Sequence, residues 1–388
     1  MSKSWVNSRV QSLQPSGIRK FFDIVAQMED VVSLGVGEPD FLTPWHVREE
    51  GIYALEKGLT TYTSNSGLLE LRQEVSRYLA EQYGLKYRPE DQVLITIGAS
   101  EAIDLAMRTV LEPGDEVLIP EPSFVSYAPC AILAGGVPIA VTTTEETEFR
   151  LTGTELEKSI TEKSKILVLP YPNNPTGAIL EQHDLEELAE VIRRHDLLVV
   201  SDEIYSELTY GTKHVSIASL PGMEQRTIVI NGFSKAFAMT GWRLGYAAGD
   251  PEIIAGMTKV HQFTIMCTPT ISQYAAVEAL RNGMESVKMM RNEYDLRRKF
   301  VVHGFRQMGL ECFEPKGAFY VFPSIKSLRL SSEQFCNRLL QEERVAVVPG
   351  TAFGSCGEGY IRCSYAYSLS NLEKALVRIG RFVKRMRQ

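Results

Sequence analysis

Short apolar runs, separated by amphipathic stretches, dominate the sequence between residues 93 and 248. Each run is apolar at successive positions, which is typical of strands buried on both faces of a mainly parallel sheet. The stretches between the runs repeat apolar residues at three- and four-residue spacing, which predicts helices on both faces of that sheet. The pattern therefore predicts an α/β fold. The runs are 93–97, 117–119, 166–169, 197–200, 228–230 and 246–248.

The last hundred residues have a different pattern. A long charged helix is predicted over 287–308, and a last helix over 372–387. Between them lie three short apolar segments, at 317–322, 345–348 and 360–365. A chain of 388 residues exceeds what one core usually supports, so we expect a large domain and a smaller C-terminal one.

Composition excludes several classes of partner. The formal charge is −7, from 41 lysine and arginine against 48 aspartate and glutamate residues, so nucleic acid is not expected. No apolar run approaches the roughly 20 residues of a membrane span, and the N-terminus has no signal-peptide core, so we expect no membrane partner and a cytoplasmic protein. The six cysteines and six histidines form no ligand cluster, which predicts reduced thiols and no metal site.

One lysine stands in an unusual loop. Lys235 follows the run 228–230, has Ser234 beside it and Arg243 eight residues later. A buried amine loses its proton more easily and can form an imine with a carbonyl, while a serine and an arginine can hold a phosphate. These features together favour pyridoxal phosphate, an aldehyde that carries a phosphate. Taken singly, Lys235 could instead be a solvated surface lysine and Arg243 a member of a structural ion pair.

Other polar or aromatic residues follow the predicted strands, where ligands bind in such sheets. Gly98, Ala99 and Ser100 open a helix whose N–H groups suit a phosphate, unless Ser100 is only an N-cap. Phe124 could stack on a heteroaromatic ring or simply pack in the core. Asn174 stands in the loop 172–177, which two prolines and a glycine fix.

The segment 201–205 holds a carboxylate and a hydroxyl. Asp202 follows an apolar run, and a buried carboxylate there needs a cation such as a protonated pyridine nitrogen. Tyr205, three residues later, could donate to a phenolate oxygen of the same ring. In the other glycine-rich loop, Gly35 and Gly37 allow a ligand to approach the backbone, or form a plain turn.

In order and spacing, these segments resemble the class I/II aminotransferases of fold type I, the pyridoxal phosphate enzymes related to aspartate aminotransferase. The resemblance covers roughly Val31 to Ile379. It implies a three-layer αβα large domain (45–284) with a mainly parallel seven-stranded sheet, and a smaller α+β domain (285–388). An N-terminal segment (1–44) would pack with the small domain. The resemblance rests on 35–41, 173–177, 201–205, 234–243 and 361–362.

The resemblance also implies roles in binding the cofactor. Lys235 resembles the lysine that joins the cofactor aldehyde and later moves protons as general acid–base. Asp202 resembles the partner of the pyridine nitrogen, and Asn174 and Tyr205 resemble the donors to the ring oxygen. The implied contacts with the phosphate and with the ring face are Gly98, Ala99, Ser100, Ser234, Arg243 and Phe124.

Substrate and subunit contacts follow from the same resemblance. Arg362 resembles the clamp on the substrate α-carboxylate, with the Gly37 backbone and Asn174 beside it. Tyr62 matches a tyrosine that reaches the phosphate of the neighbouring subunit, so a homodimer with active sites at its interface is implied.

The preferred amino donor stays open. Dicarboxylate-specific relatives carry a second cation, either an arginine ahead of the segment resembling Thr268-Pro269 or a lysine near Ser100, and this chain has neither. Arg19 or Lys20 could supply that charge from the N-terminal segment. Aspartate, aromatic, alanine-type and branched amino acids are therefore all candidate donors.

The sequence predicts an amino-acid:2-oxo-acid aminotransferase that works by a ping-pong route, with 2-oxoglutarate as acceptor. One alternative is another reaction of the same cofactor, such as a β-elimination C–S lyase. A second alternative is a non-catalytic regulator that binds the cofactor, which would place a DNA-binding domain ahead of the fold. The aminotransferase-like segment begins by about Val31, which is early for such a domain.

Overall fold

The computed structural model describes residues 5–13 and 28–388 of the chain. Its largest sheet has seven strands. The strands of the described residues are β1 (Val32–Ser33), β2 (Val93–Thr96), β3 (Glu116–Glu121), β4 (Val137–Thr142), β5 (Ser164–Leu169), β6 (Leu198–Asp202), β7 (Thr227–Gly232), β8 (Gly245–Ala248), β9 (Tyr320–Val321), β10 (Val345–Ala346), β11 (Val348–Pro349) and β12 (Ile361–Ser364).

Helices follow most strands of this sheet and make the fold a succession of β–α units. Their bounds differ from the predicted ones by three residues or fewer at each end where a helix was predicted. The helices of the described residues are α1 (Ser8–Ser12), α2 (Trp45–Glu56), α3 (Leu69–Tyr83), α4 (Gly98–Val110), α5 (Tyr127–Ala134), α6 (Gly153–Ser159), α7 (Gln182–Arg194), α8 (Pro251–Thr264), α9 (Thr270–Asn282), α10 (Met284–Gln307), α11 (Ser332–Glu343) and α12 (Leu369–Met386).

The prediction of a mainly parallel sheet is confirmed. Strands β4, β3, β5, β6 and β7 pair in parallel, whereas β8 is antiparallel to both of its neighbours, β7 and β2. All six predicted apolar runs form strands. The seventh strand, β4, was not predicted, although 137–141 is also an apolar run; it is an edge strand whose side chains are mostly exposed or half-buried.

Successive residues of the central strands face two different apolar clusters. Val168 and Val200 pack with α4 and α8, whereas Leu167 and Val199 pack with α7. Residues of a strand point alternately to opposite faces, so the sheet is covered on both sides. This is the three-layer αβα arrangement that the resemblance implied.

A second, smaller unit contains the C-terminal elements. Strands β11, β12 and β9 form an antiparallel sheet, and α10, α11 and α12 pack around one apolar cluster that includes Leu34. The N-terminal strand β1 pairs with β10 of this unit, and Asp40 accepts a 2.7 Å hydrogen bond from Arg297 on α10. The division of the chain at 44/45 and 284/285 stays a prediction.

Three expectations from composition concern partners and thiols. No helix in the described ranges is both long and apolar enough to cross a membrane. The six cysteines, all of which the structure describes, are free. No group of histidine, cysteine and acidic side chains suited to a metal ion occurs in 5–13 or 28–388.

Candidate active site

A cavity of about 300 Å³ lies at the carboxyl ends of the parallel strands, where the large sheet meets the smaller unit. Ligands of open α/β sheets bind at this edge. Eleven of the residues predicted from the sequence line it. They are Gly37, Ala99, Ser100, Phe124, Asn174, Asp202, Tyr205, Ser234, Lys235, Arg243 and Arg362.

Lys235 lies in the loop after β7, with its amine in the cavity. Its Nζ atom donates a 2.7 Å hydrogen bond to the carbonyl oxygen of Gly37. Burial lowers the pKa of Lys235 from 10.5 to about 8; Glu38 opposes this shift, and Arg362 and Arg243 add to it. Because only the neutral amine attacks an aldehyde, the cavity makes this lysine more reactive at neutral pH than an exposed one.

Asp202 ends β6, and its carboxylate is buried. Its Oδ2 atom accepts a 2.7 Å hydrogen bond from the hydroxyl of Tyr127, and Oδ1 accepts a 3.2 Å bond from the backbone N–H of Ile204. Burial raises the pKa of Asp202, and the two hydrogen bonds and Lys235 oppose that rise. A buried carboxylate is stabilised by a cationic partner, so a protonated ring nitrogen fits this position.

The N-terminus of α4 supplies an anion site. Gly98 has a φ of +71° and begins the helix; the N-cap Ile97 makes no side-chain cap bond, and its N–H donates a 2.5 Å hydrogen bond to Oε2 of Glu101. Ser100 lies inside the first turn, so the alternative that Ser100 is the N-cap is wrong. The Arg243 guanidinium lies against Gly98. A Cβ atom added to Gly98 would be 2.9 Å from Nη2 of Arg243. Free N–H groups, this guanidinium and the nearby Ser234 together suit a phosphate.

Arg362 lies on β12 and is held from several sides. Its Nη1 donates a 2.9 Å hydrogen bond to Oδ1 of Asn174, and its Nη2 donates to the carbonyl oxygen of Gly35. The guanidinium carbon is 4.5 Å from the ring centroid of Tyr320 and 4.8 Å from that of Phe353. Its buried Nε has no partner among residues 5–13 and 28–388. Arg362 lines the cavity, so its guanidinium can bind an anionic ligand there.

The remaining lining residues offer donors and an aromatic face. The hydroxyl of Tyr205 is 2.8 Å from that of Tyr320, and burial raises the pKa of Tyr205 well above 10. Tyr205 therefore keeps its proton at neutral pH and can act as a hydrogen-bond donor. Asn174 follows β5 and projects into the cavity beside Arg362, and Phe124 lines the wall next to α4.

Two predicted residues of the described structure, Gly98 and Tyr62, do not line this cavity. Tyr62 lies on the surface with 77% of its area exposed, and it does not line the cavity of its own chain. Arg19 lies outside the described residues, as does Lys20.

Sequence reasoning missed two tyrosines of the cavity wall. Tyr127 stands three residues after Phe124, so both fall on one side of the turn that opens α5, and that spacing could have indicated it. Tyr320 belongs to the short apolar segment 317–322. Its place beside Arg362 follows from the pairing of β9 with β12, which local sequence does not show.

Comparison with known proteins decides which family has this arrangement. The profile of the family "Aminotransferase class I and II" matches residues 29–379. The chain belongs to this family.

Named relatives cover almost the whole chain. It is 49% identical over 382 residues to an aspartate aminotransferase of Pyrococcus abyssi and 48% identical over 382 residues to aromatic-amino-acid aminotransferase 2 of Thermococcus litoralis, and each match covers 98% of both chains. The crystal structure of an aromatic aminotransferase from Pyrococcus horikoshii superposes with a TM-score of 0.91 at 48% identity, covering 95% of this chain and 99% of that one.

The protein is a pyridoxal-phosphate-dependent transaminase of amino acids and 2-oxo acids. The functional groups that line the cavity fit this cofactor. They provide a buried carboxylate at Asp202, an amine of lowered pKa at Lys235 and an anion site at the start of α4.

Proposed function

We propose that Lys235, Asp202 and Arg362 are the central residues of this transamination and that 2-oxoglutarate is the amino acceptor. One observation carries the proposal. A lysine with a pKa of about 8 shares a cavity with a buried carboxylate and with an arginine whose guanidinium is held by Asn174 and Gly35. These are the groups needed to hold an aldehyde cofactor, its ring nitrogen and a substrate carboxylate.

Pyridoxal phosphate, when bound, supplies an electron sink for bonds to the substrate α-carbon. Asp202 would pair with its ring nitrogen, and Asn174 and Tyr205 would donate to its ring oxygen. The phosphate would be held by the first turn of α4, with Gly98, Ala99 and Ser100, together with Ser234 and Arg243. Phe124 would stack on the ring face.

Arg362 would bind the substrate α-carboxylate and so orient the α-carbon toward Lys235. The Asn174 amide oxygen and the Gly35 carbonyl fix the plane of the guanidinium before substrate arrives. A guanidinium held in this way loses little freedom on binding, which favours a precise orientation. The backbone of Gly37 would lie beside the same carboxylate.

Lys235 would move the proton. With a pKa of about 8, its Nζ is partly neutral at neutral pH and can both accept a proton from the substrate α-carbon and return it. Its contact with the Gly37 carbonyl holds the amine near the residues that would surround the substrate. Closing the cavity over the reactants would keep water from this amine.

The donor remains one of four classes: aspartate, aromatic, alanine-type or branched amino acids. Relatives named for aspartate and for aromatic amino acids are almost equally similar to this chain. In a ping-pong reaction one site accepts both donor and acceptor, so the acceptor's second carboxylate also needs a cation. We propose Arg19 for that role. If the Arg19→Ala enzyme keeps the wild-type preference between aspartate and leucine, this role for Arg19 is contradicted.

A cytoplasmic homodimer is part of the proposal. Large apolar side chains are exposed at Leu42, Tyr62 and Phe263, with exposures of 76%, 77% and 85%. A hydrogen bond from Asn65 to the carbonyl oxygen of Met266 joins the Tyr62 loop to the end of α8. Two of these side chains, Tyr62 and Phe263, therefore belong to segments that contact each other, and contiguous exposed apolar surface marks protein–protein interfaces. The six free cysteines suit a reducing compartment.

An amino-donor panel tests the function. Purified holoenzyme is mixed with single amino acids and 2-oxoglutarate, and glutamate formation is measured together with the absorbance of the bound cofactor. We expect glutamate with at least one donor, and none above background with Lys235→Ala. Release of ammonia and pyruvate without an acceptor would instead favour the C–S lyase. Bound cofactor with no turnover of any donor would favour the regulator.

A further inference from the structure

Tyr320 connects two parts of the cavity that the proposed function treats separately. Its hydroxyl is 2.8 Å from the hydroxyl of Tyr205, and its ring lies 4.5 Å from the guanidinium carbon of Arg362. Tyr205 belongs to the cofactor side of the cavity and Arg362 to the substrate side. The side chain of Tyr320 is almost fully buried, with 1% exposure, so both contacts are shielded from water.

The ring of Tyr320 is one of two aromatic faces that hold the guanidinium. Phe353 provides the other, with a centroid distance of 4.8 Å. Cation–π contacts with a desolvated guanidinium stabilise its position. With Nη1 and Nη2 already bonded to Asn174 and Gly35, the arginine has little freedom to turn.

The hydroxyl of Tyr320 has a different role from its ring: it bonds to Tyr205 and not to Arg362. A phenol has one proton, and Tyr205 must use its proton if it donates to a cofactor oxygen. Tyr320 must then be the donor in the bond between the two hydroxyls. A donor directed at the Tyr205 oxygen makes Tyr205 a stronger donor in turn, because linked hydrogen bonds polarise one another. A phenylalanine would fill the same space but could not do this.

We propose that Tyr320 is a positioning residue for transamination: its ring fixes the carboxylate-binding Arg362, and its hydroxyl donates to Tyr205. This inference rests on the roles proposed above for Arg362 and Tyr205. It predicts that the two functions separate by substitution. Tyr320→Phe removes the donor and keeps the ring, whereas Tyr320→Leu removes both.

The test uses two binding measurements on holoenzyme. The first is the pKa obtained by titrating the absorbance of bound cofactor with pH. The second is the Kd of 3-phenylpropionate, which carries a carboxylate but no amino group to transfer. A weaker donor to an anionic ring oxygen leaves more negative charge on it, so the first pKa rises when the Tyr320 hydroxyl is lost.

We expect Tyr320→Phe to raise the absorbance pKa by about 0.5 to 1 unit, as one neutral hydrogen bond would, while the Kd stays within about twofold. Tyr320→Leu should show the same rise and about tenfold weaker binding of 3-phenylpropionate. Tyr294→Phe is the matched control, since the buried Tyr294 hydroxyl has no partner in the described structure. It should change neither quantity.

The inference is overturned if Tyr320→Phe has the absorbance pKa of the wild type, or if folded Tyr320→Leu binds 3-phenylpropionate with the affinity of the wild type. The proposed function fails separately. Neither measurement requires turnover. If the variants show the expected changes in pKa and Kd but the wild-type holoenzyme transfers no amino group, the proposed function is contradicted and the role of Tyr320 is not.

Discussion

Tyr127 donates a 2.7 Å hydrogen bond to Oδ2 of Asp202 in the buried part of the cavity. Burial raises the pKa of Asp202, and this hydrogen bond is the largest opposing contribution. The tyrosine therefore helps to keep the carboxylate ionised until a cationic ring nitrogen arrives. Tyr127 was not predicted from the sequence, although Asp202, whose carboxylate it supports, was.

Tyr127→Phe should weaken the binding of pyridoxal phosphate to the apoenzyme. Loss of the donor raises the pKa of Asp202 further, so less ionised carboxylate is available to pair with the ring nitrogen. We expect about five- to tenfold weaker affinity, the size of one buried hydrogen bond, in a fluorescence titration. Tyr87→Phe is the control, because the Tyr87 hydroxyl is buried without a partner in the described ranges. Equal affinities for the two variants would contradict the role of Tyr127.

The chain's periodicity predicted most of the large sheet. Runs that are apolar at nearly every position identified six of its seven strands, because strands inside a parallel sheet are buried on both faces. Strand β4 (Val137–Thr142) was missed although 137–141 is also an apolar run; Pro138 within it is unfavourable in a central strand, and β4 is in fact an edge strand. The antiparallel direction of β8 was also not predictable, since its residues are as apolar as those of its parallel neighbours.

Residues of the cavity could be predicted from the sequence where they lie at or after the carboxyl ends of strands. Asp202 and Lys235 stand two and five residues after apolar runs. The carboxyl ends of parallel strands meet at one edge of the sheet, so the two side chains were expected to lie close together. The contact between Tyr320 and Arg362 depends instead on the register of β9 and β12, in which Ser364 is opposite Tyr320. Those strands have two and four residues, too few for periodicity to fix a register.

Gly37→Ala should impair the enzyme by displacing Tyr320. A Cβ atom on Gly37 would collide with the Tyr320 hydroxyl and ring, and Tyr320 is too tightly buried to move freely. We expect a fall in kcat/KM of about 10- to 100-fold, as for an overpacked site whose reacting groups shift. Gly241→Ala is the control in steady-state assays, since a Cβ there meets no described atom within 4 Å. Wild-type kinetics for Gly37→Ala would show that the pocket adapts.

The rate at which apoenzyme captures pyridoxal phosphate should follow the ionisation of Lys235. Only the neutral amine reacts, and burial lowers the pKa of Lys235 to about 8. Between about pH 6.5 and 7.5 the rate should rise nearly tenfold, and it should level off above about pH 8.5.

Stopped-flow absorbance measures this rate, and Lys235→Ala reports any slower reaction with surface lysines. The range starts at about pH 6.5 so that the phosphate charge changes little. A rate that still rose steeply at about pH 10 would mean that the amine has the ordinary lysine pKa of 10.5 and is not desolvated.

Subunit hybrids should reveal whether Tyr62 acts across the dimer interface. One subunit carries Lys235→Ala and the other Tyr62→Ala; the two are mixed, unfolded and refolded together. If Tyr62 serves the neighbouring site, each hybrid dimer has one site with both residues intact and one with neither. Random mixing should then restore about a quarter of wild-type sites, above the activity of either parent, in a glutamate-formation assay. If Tyr62 serves its own site, every site in the hybrid lacks one residue and mixing restores nothing. The surface position of Tyr62, 77% exposed and away from its own cavity, favours the first outcome.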